Sequence, residues 1–103
     1  MFTQENLILQ RSDPSGNGGI QFLYEVNGYG IAAISPPMEE ISQLHWQVDV
    51  IKFTDVEKYK FEVCHNTALA DKTLTFYNDK MLNNFLLKAF EYFKELDKLE
   101  KML

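Results

Sequence analysis

An Asn-Gly pair flanked by alternating apolar residues is the feature that most constrains how this chain folds. Both residue types tolerate positive φ, which a two-residue type I′ hairpin turn requires at two successive positions. Asn27-Gly28 therefore predicts a β-hairpin whose strands are in register from the turn outward. The cross-strand partners expected from this register are Val26 with Tyr29, Tyr24 with Ile31, Phe22 with Ala33, and Ile20 with Ser35.

The predicted register also sorts the side chains of the hairpin onto two faces, because successive strand residues point to opposite sides. The face predicted to be buried carries Ile20, Phe22, Tyr24, Val26, Tyr29, Ile31 and Ala33. The opposite face carries Gln21, Glu25, Gly30 and Ala32, with Leu23 and Ile34 as apolar exceptions. The pattern predicts a hairpin, its register and its buried face, but it holds no catalytic or ligand-binding signature.

The composition indicates one folded domain over residues 1–103. The chain is 46% hydrophobic with eight Phe and five Tyr, which is ample for a core, so a disordered chain is not expected. The net charge of −5 argues against binding to nucleic acid or to an anionic membrane. Phosphate groups are held by clusters of Lys and Arg, and an acidic surface repels them.

Several classes of site and location are unexpected for this sequence. Cys64 is the one cysteine, which rules out an intrachain disulfide and a cysteine zinc cluster. Residues 1–6 lack the positive segment and apolar stretch of a secretory signal. No apolar run approaches the roughly 18 residues that span a bilayer. We therefore expect a cytoplasmic protein without a cofactor.

Further strands are predicted wherever apolar and polar residues alternate. Ile51 and Phe53 interrupt one such alternation, which predicts a bulge or a strand end covered on both faces. Ser35-Pro36-Pro37 should end the third strand, because proline donates no hydrogen bond, and residues 38–43 and 54–58 should be connectors. The predicted strands beyond the hairpin are residues 7–10, residues 44–50 with Leu44 and Trp46, Tyr59 to Val63, and a short edge at Leu74 and Phe76.

The last third of the chain changes to a helical period, which predicts an amphipathic helix over about residues 79–101. Asn78 or Asp79 is expected to cap its start. The apolar stripe consists of Met81, Leu82, Phe85, Leu86, Ala89, Phe90, Phe93 and Leu96. The fold class predicted is therefore α+β: an antiparallel β-meander of four to six strands with one C-terminal amphipathic helix packed on its aromatic face.

Each candidate for chemistry has a simpler structural interpretation. The glycine-rich segment 12–19 lacks the lysine and the following helix of a phosphate-binding loop, so an inter-strand loop is favoured. Asp49 and Glu62 are conceivable acidic partners for His45 and His65, but solvated or hydrogen-bonded surface histidines are favoured. Cys64 precedes His65 directly, but neighbours on a strand point apart, so this is not expected to be a nucleophile-base pair.

The remaining carboxylates and aromatic residues also favour a structural interpretation. The carboxylate groups are Glu39-Glu40, Asp55 with Glu57, and Glu91 with Glu95 and Asp97. They lie in predicted loops or on the charged face of the predicted helix and are expected to be solvated. A calcium site is not expected, because the alternating oxygen-ligand pattern of a calcium loop is absent. Aromatic side chains on a sheet can stack RNA bases, but here the helix should cover them and basic residues are scarce. No catalytic, cofactor-binding or metal-binding residue is therefore predicted.

Two segments carry a resemblance to a known family. Asn27-Gly28-Tyr29-Gly30-Ile31 and the stretch from His45 to Phe53, with Gly19 to Phe22 before them, resemble a family of small proteins of bacteria and their phages. The similarity covers roughly residues 14–95 and includes the helix from Leu82 to Phe93. Ser35-Pro36-Pro37 and Asn66-Thr67 depart from the family's loops. The resemblance implies a phage or mobile-element setting and no reaction type.

Two classes of function remain open at this stage. The favoured hypothesis is a small, acidic, non-enzymatic accessory protein that binds a protein partner, for example to block a host factor. The alternative is a ligand-binding or enzymatic domain with a pocket between helix and sheet. The identity of the partner and the oligomeric state, including a homodimer, are left open by the sequence.

Overall fold

The computed structural model of the chain describes residues 5–12, 19–35 and 45–102, with side chains described through Leu99. This part of the chain forms one antiparallel sheet and one helix, so the predicted α+β class is confirmed. The strands are β1 (Leu7–Ser12), β2 (Ile20–Val26), β3 (Tyr29–Ser35), β4 (Trp46–Asp55), β5 (Lys60–Val63) and β6 (Leu74–Phe76), and the helix is α1 (Asp79–Met102). The first five strands form a meander in chain order, and β6 pairs with β4.

The turn between β2 and β3 has the conformation that the Asn-Gly pair predicts. Asn27 and Gly28 have φ angles of 54° and 91°, both positive as a type I′ turn requires. The Gly28 N–H donates to Glu25 Oε1 at 3.0 Å. The strands pair without a register shift from Val26 with Tyr29 out to Ile20 with Ser35, which confirms the predicted turn and register.

The outer edge of strand β4 pairs with two short strands, one at each end. Its beginning, from Trp46 to Val48, pairs with β6, and its end, from Ile51 to Asp55, pairs with β5. Residues 64–73 connect the two short strands, so β4 lacks a neighbouring strand at Asp49. The inner edge of β4 pairs with β3 in unbroken register through Lys52.

Helix α1 packs on one face of the sheet, here called the helix face. Asn78 caps the helix, because its Oδ1 accepts the Met81 N–H at 2.8 Å, while Asp79 Oδ1 accepts the Trp46 indole N–H at 2.9 Å. The side chains buried between helix and sheet include Phe22, Tyr24, Val26, Ile31, Trp46, Val48, Leu82, Leu86, Phe90 and Phe93. They are the ones that the two periodicities predict, which confirms the aromatic face as the core.

The predictions fail at the ends of elements. Ile20 and Met81, expected in the core, are 45% and 44% exposed, because one begins β2 and the other lies in the first turn of α1. Tyr59, expected in a strand, belongs to the turn before β5. The predictions for Leu44, for most of the glycine-rich segment and for residues 38–43 fall outside the described residues.

A second apolar cluster lies on the face opposite α1, here called the far face. It is formed by Leu23, Ala32, Ile51 and Phe53, with Ile8, Leu9 and Phe61 packed against it. A Cβ atom on Gly30 would overlap the Tyr24 carbonyl oxygen and approach the Phe53 ring, so glycine is required there. Ile51 and Phe53 continue the alternation of β4 onto the far face, whereas Lys52 on the helix face is exposed. The strand end is therefore covered by apolar residues on one face, and the register shift between Phe53 and Asp55 matches the alternative prediction of a bulge.

Candidate functional site

The far face is polar at one end and apolar at the other. Residues that pair across the strands share a face, so the register defines rows of side chains. The row at the polar end is Arg11, Gln21, Ile34, Gln47 and Thr75. Within it, Arg11 Nε donates to Gln21 Oε1 at 2.8 Å. The second apolar cluster begins in the next row, where Leu23 and Ala32 lie beside Asp49, and it continues along β4 to Ile51 and Phe53.

Asp49 joins two side chains at the gap between β5 and β6. Its Oδ1 lies 3.1 Å from His65 Nε2 and accepts the Thr73 hydroxyl at 2.5 Å. Of the two acids that the sequence offered as histidine partners, Asp49 is therefore the one that meets His65. Glu62 pairs with Lys52 and so points to the helix face. The Asp49–His65 pair is the strongest candidate for chemistry among the described residues.

The order of these three side chains differs from that of a catalytic triad. In a triad the imidazole stands between the carboxylate and the nucleophilic hydroxyl, so that it can take the hydroxyl proton. Here the Asp49 carboxylate stands between the His65 ring and the Thr73 hydroxyl. The arrangement orients His65 but does not activate Thr73. Within the described ranges, no three His, Cys, Asp or Glu side chains are grouped to hold a metal ion.

The other two candidates lie apart from this pair. Cys64 packs against the helix-face core, and its thiol donates to Asn66 Oδ1 at 2.9 Å. His65 turns instead to the far face, so the expectation that these two neighbours diverge is confirmed. His45 directly precedes β4 and is half-buried. The three residues that the sequence singled out do not form one site.

The space between helix and sheet is occupied by packed rings. The ring centroids of Phe22 and Trp46 are 5.2 Å apart, and those of Tyr24 and Phe90 are 5.7 Å apart. Burial raises the pKa of the Tyr24 hydroxyl to about 12, because the ionised form is poorly solvated there. The converging polar groups described above lie on the far face, not in the interface where the sequence placed an alternative pocket.

The turn between β4 and β5, residues 56–59, is here called the hairpin tip. The Tyr59 N–H donates to the Val56 carbonyl at 3.1 Å, and the Lys58 N–H donates to Asp55 Oδ1 at 3.2 Å. Tyr59 has φ of 55°, in the left-handed region. This is the position where a hairpin turn of this kind usually has glycine, since a side chain there costs about 1–2 kcal/mol.

The hairpin tip also exposes apolar surface. Val56 and Tyr59 are 38% and 36% exposed and lie within the same four-residue turn. Residues held in strained backbone conformations cluster at functional sites. Sequence reasoning missed Tyr59, because its alternation with Phe61 and Val63 placed it in the strand. The signal available was the absence of glycine from residues 56–59.

Comparison of this chain with family models, with curated proteins and with solved structures found no match. The resemblance to a family of bacterial and phage proteins therefore stays a prediction. In the part of the chain that the structure describes, no helix combines the length and the apolar content needed to cross a membrane.

Proposed function

We propose that this protein acts by binding another protein through its hairpin tip and that it does not catalyse a reaction. The observation that carries the proposal is Tyr59, an exposed aromatic residue held at positive φ. Tyrosine is enriched among the residues that dominate binding energy at protein interfaces. A tight turn presents such a side chain with little loss of conformational freedom on binding.

The charge of the chain supports a partner with a basic surface. The net charge of −5 favours encounter with a positively charged protein and disfavours encounter with nucleic acid or an anionic membrane. The setting of a phage or mobile-element accessory protein that blocks a host factor rests on the resemblance described above. That setting is an analogy at the level of the family.

A photo-crosslinking experiment in the expressing cell tests the proposal. A photoreactive amino acid replaces Val56, and captured proteins are compared between this chain and the same chain carrying Tyr59→Gly. We expect a defined protein to be captured and the yield to fall at least about tenfold in the Tyr59→Gly variant. Tyr77→Ala, which removes a 72% exposed tyrosine elsewhere, is the matched control and should leave the yield unchanged.

Thermal unfolding separates a binding role of Tyr59 from a structural one. Because glycine relieves the left-handed conformation, the Tyr59→Gly variant should melt at or above the wild-type temperature while capture is lost. Equal losses of capture in the Tyr59→Gly and Tyr77→Ala variants would contradict the proposal. So would a Tyr59→Gly variant that captures the same protein as the wild type.

The alternative of a ligand-binding or enzymatic domain is favoured by one observation, the Asp49–His65 pair. An imidazole oriented by a carboxylate is a common element of general acid–base sites. Asp49→Asn keeps the size of the side chain and removes its charge. Under the binding proposal this variant captures the partner as the wild type does. Loss of the assigned activity in a folded Asp49→Asn variant would favour the alternative.

A further inference from the structure

The outer edge of β5 presents main-chain groups for pairing. Strand β5 is the last in the meander, so its outer edge has no neighbouring strand among the described residues. The Cys64 N–H donates to the Val50 carbonyl at 2.8 Å, which shows that Cys64 faces β4. Main-chain groups alternate along a strand. Glu62 therefore also faces β4, and Phe61 and Val63 direct their N–H and C=O groups outward.

The side chains of β5 form a self-complementary pattern about Phe61. Lys60 and Glu62 point to the helix face, carry opposite charges and are both exposed. Phe61 and Val63 point to the far face, where Phe61 packs edge-on against Phe53 at 5.9 Å. Val63 is 54% exposed, although its partner in β4, Ile51, is fully buried. An antiparallel copy of this strand would meet opposite charges and apolar surface.

We propose that β5 pairs antiparallel with β5 of a second copy of this chain, about a two-fold axis at Phe61. The two Phe61 residues would then exchange two main-chain hydrogen bonds, because both direct these groups outward. Lys60 would lie opposite Glu62 of the second copy, and Glu62 opposite its Lys60. These are non-hydrogen-bonded pairs, in which the side chains approach most closely.

The charges select this register and this partner. A two-fold axis at Lys60 would oppose two lysines, and one at Glu62 would oppose two glutamates, each of which is destabilising. Lysine on an edge strand also discourages pairing with unrelated strands. Only the register centred on Phe61 converts both charges into attractive contacts. The interface is isologous, as expected for a dimer.

The interface is small, so we expect reversible association, with a dissociation constant between about micromolar and millimolar. Sedimentation equilibrium of the full chain measures it. Lys60→Glu and Glu62→Lys each replace two attractive contacts with two repulsive ones, so each variant alone should associate about tenfold or more weakly than the wild type. An equimolar mixture of the two variants restores opposite charges and should associate as the wild type does.

Matched controls reverse the same charges on the outer surface of α1. Lys94 and Glu91 lie 3.5 Å apart there, and Lys94→Glu and Glu91→Lys should leave the association unchanged. Thermal unfolding verifies that all four variants are folded, as expected for exposed positions.

Three outcomes would overturn the inference: a wild type that stays monomeric at millimolar concentration, controls that weaken association as much as the β5 variants, or a mixture that fails to associate. If the wild type is monomeric and charge reversal in β5 abolishes its capture of another protein, then the β5 edge pairs with a strand of that protein and not with a second copy of this chain. None of these outcomes depends on Tyr59, so the two proposals fail separately.

Discussion

Two tight hairpins among the described residues satisfy the demands of their turns in different ways. In the β2–β3 hairpin, positive φ falls on Asn27 and Gly28, and the strands pair without a register shift. In the β4–β5 hairpin, positive φ falls on Tyr59, and the register shifts between Phe53 and Asp55. The first hairpin has residue types that tolerate positive φ. The second has an aromatic residue at a position where glycine would cause less backbone strain.

The two hairpins also differ in what covers them. Helix α1 packs on the first, where the rings of Tyr29 and Phe93 stack with centroids 5.8 Å apart. The hairpin tip of the second exposes Val56 and Tyr59. The first hairpin has turn residues that suit its backbone, whereas the second carries a strained residue, as functional sites often do. The β4–β5 hairpin, with its strained and exposed turn, is therefore the better candidate for a functional surface.

Truncation of a helix residue that packs on the first hairpin should have the largest effect on the free energy of unfolding. Phe93→Ala deletes a fully buried ring and should lower the free energy of unfolding by about 3–5 kcal/mol, measured by urea denaturation. Leu87→Ala, on the exposed side of the same helix, is the control and should change it by less than about 1 kcal/mol. Equal losses from both variants would mean that α1 does not stabilise the hairpin through this face.

Alkaline pH should weaken the first hairpin through Tyr24. Burial raises the pKa of its hydroxyl to about 12, so the folded state holds the proton more tightly than the unfolded state, whose tyrosines titrate near pH 10. Stability present below pH 10 is therefore lost between about pH 10 and 12, by roughly 2–3 kcal/mol. Urea denaturation across this range should show a steeper loss for the wild type than for Tyr24→Phe. Identical slopes would refute the assignment.

The turn of the first hairpin should tolerate asparagine better than valine. Nothing lies within 4 Å of a Cβ added at Gly28, so the cost of substitution comes from its φ of 91°. Gly28→Val should cost about 1–3 kcal/mol, and Gly28→Asn should cost less, since asparagine tolerates positive φ. Thermal unfolding measures both. A valine variant that melts with the wild type would mean that the turn conformation contributes little to stability.

Substitution of the turn residue with positive φ in the second hairpin should raise the free energy of unfolding, whereas substitution in the first should lower it. Tyr59→Gly places glycine at positive φ, and relief of the strain should raise the free energy of unfolding by up to about 1 kcal/mol, offset partly by the lost ring contacts. The same thermal measurement provides the comparison with Gly28→Val. A loss of more than about 1 kcal/mol would show that the Tyr59 ring is structural, and the proposal for the hairpin tip would lose its support.

The smallest effect is expected from replacing the histidine and cysteine residues, whose side-chain types are common in catalytic sites. Combined replacement of His45, Cys64 and His65 by Ala should leave partner capture within about twofold of the wild type, because the three do not form one site and none lies in the hairpin tip. Residues that act as a catalytic unit lose several powers of ten on removal. A folded triple variant without activity would overturn the binding proposal in favour of an enzyme.

Elements with local signals can be predicted from the amino-acid sequence. The Asn27-Gly28 turn, the pairing of β2 with β3 and the buried stripe of α1 all follow from φ preferences and from periods of two and 3.6 residues. These signals weaken where an element ends, which is why Ile20 and Met81 were misassigned. Burial at an end depends on how far the opposing element extends, and no local pattern records that length.

Contacts between residues far apart in the chain depend on how the whole sheet assembles. Asp49 and His65 are brought together because the outer edge of β4 is shared between β5 and β6, which leaves a gap between the two short strands. Tyr59 takes positive φ because the pairing of Asp55 with Lys60 closes the turn around it. The first feature depends on two short strands sharing one edge and the second on the pairing that closes a turn, and both pairings are settled across the sheet.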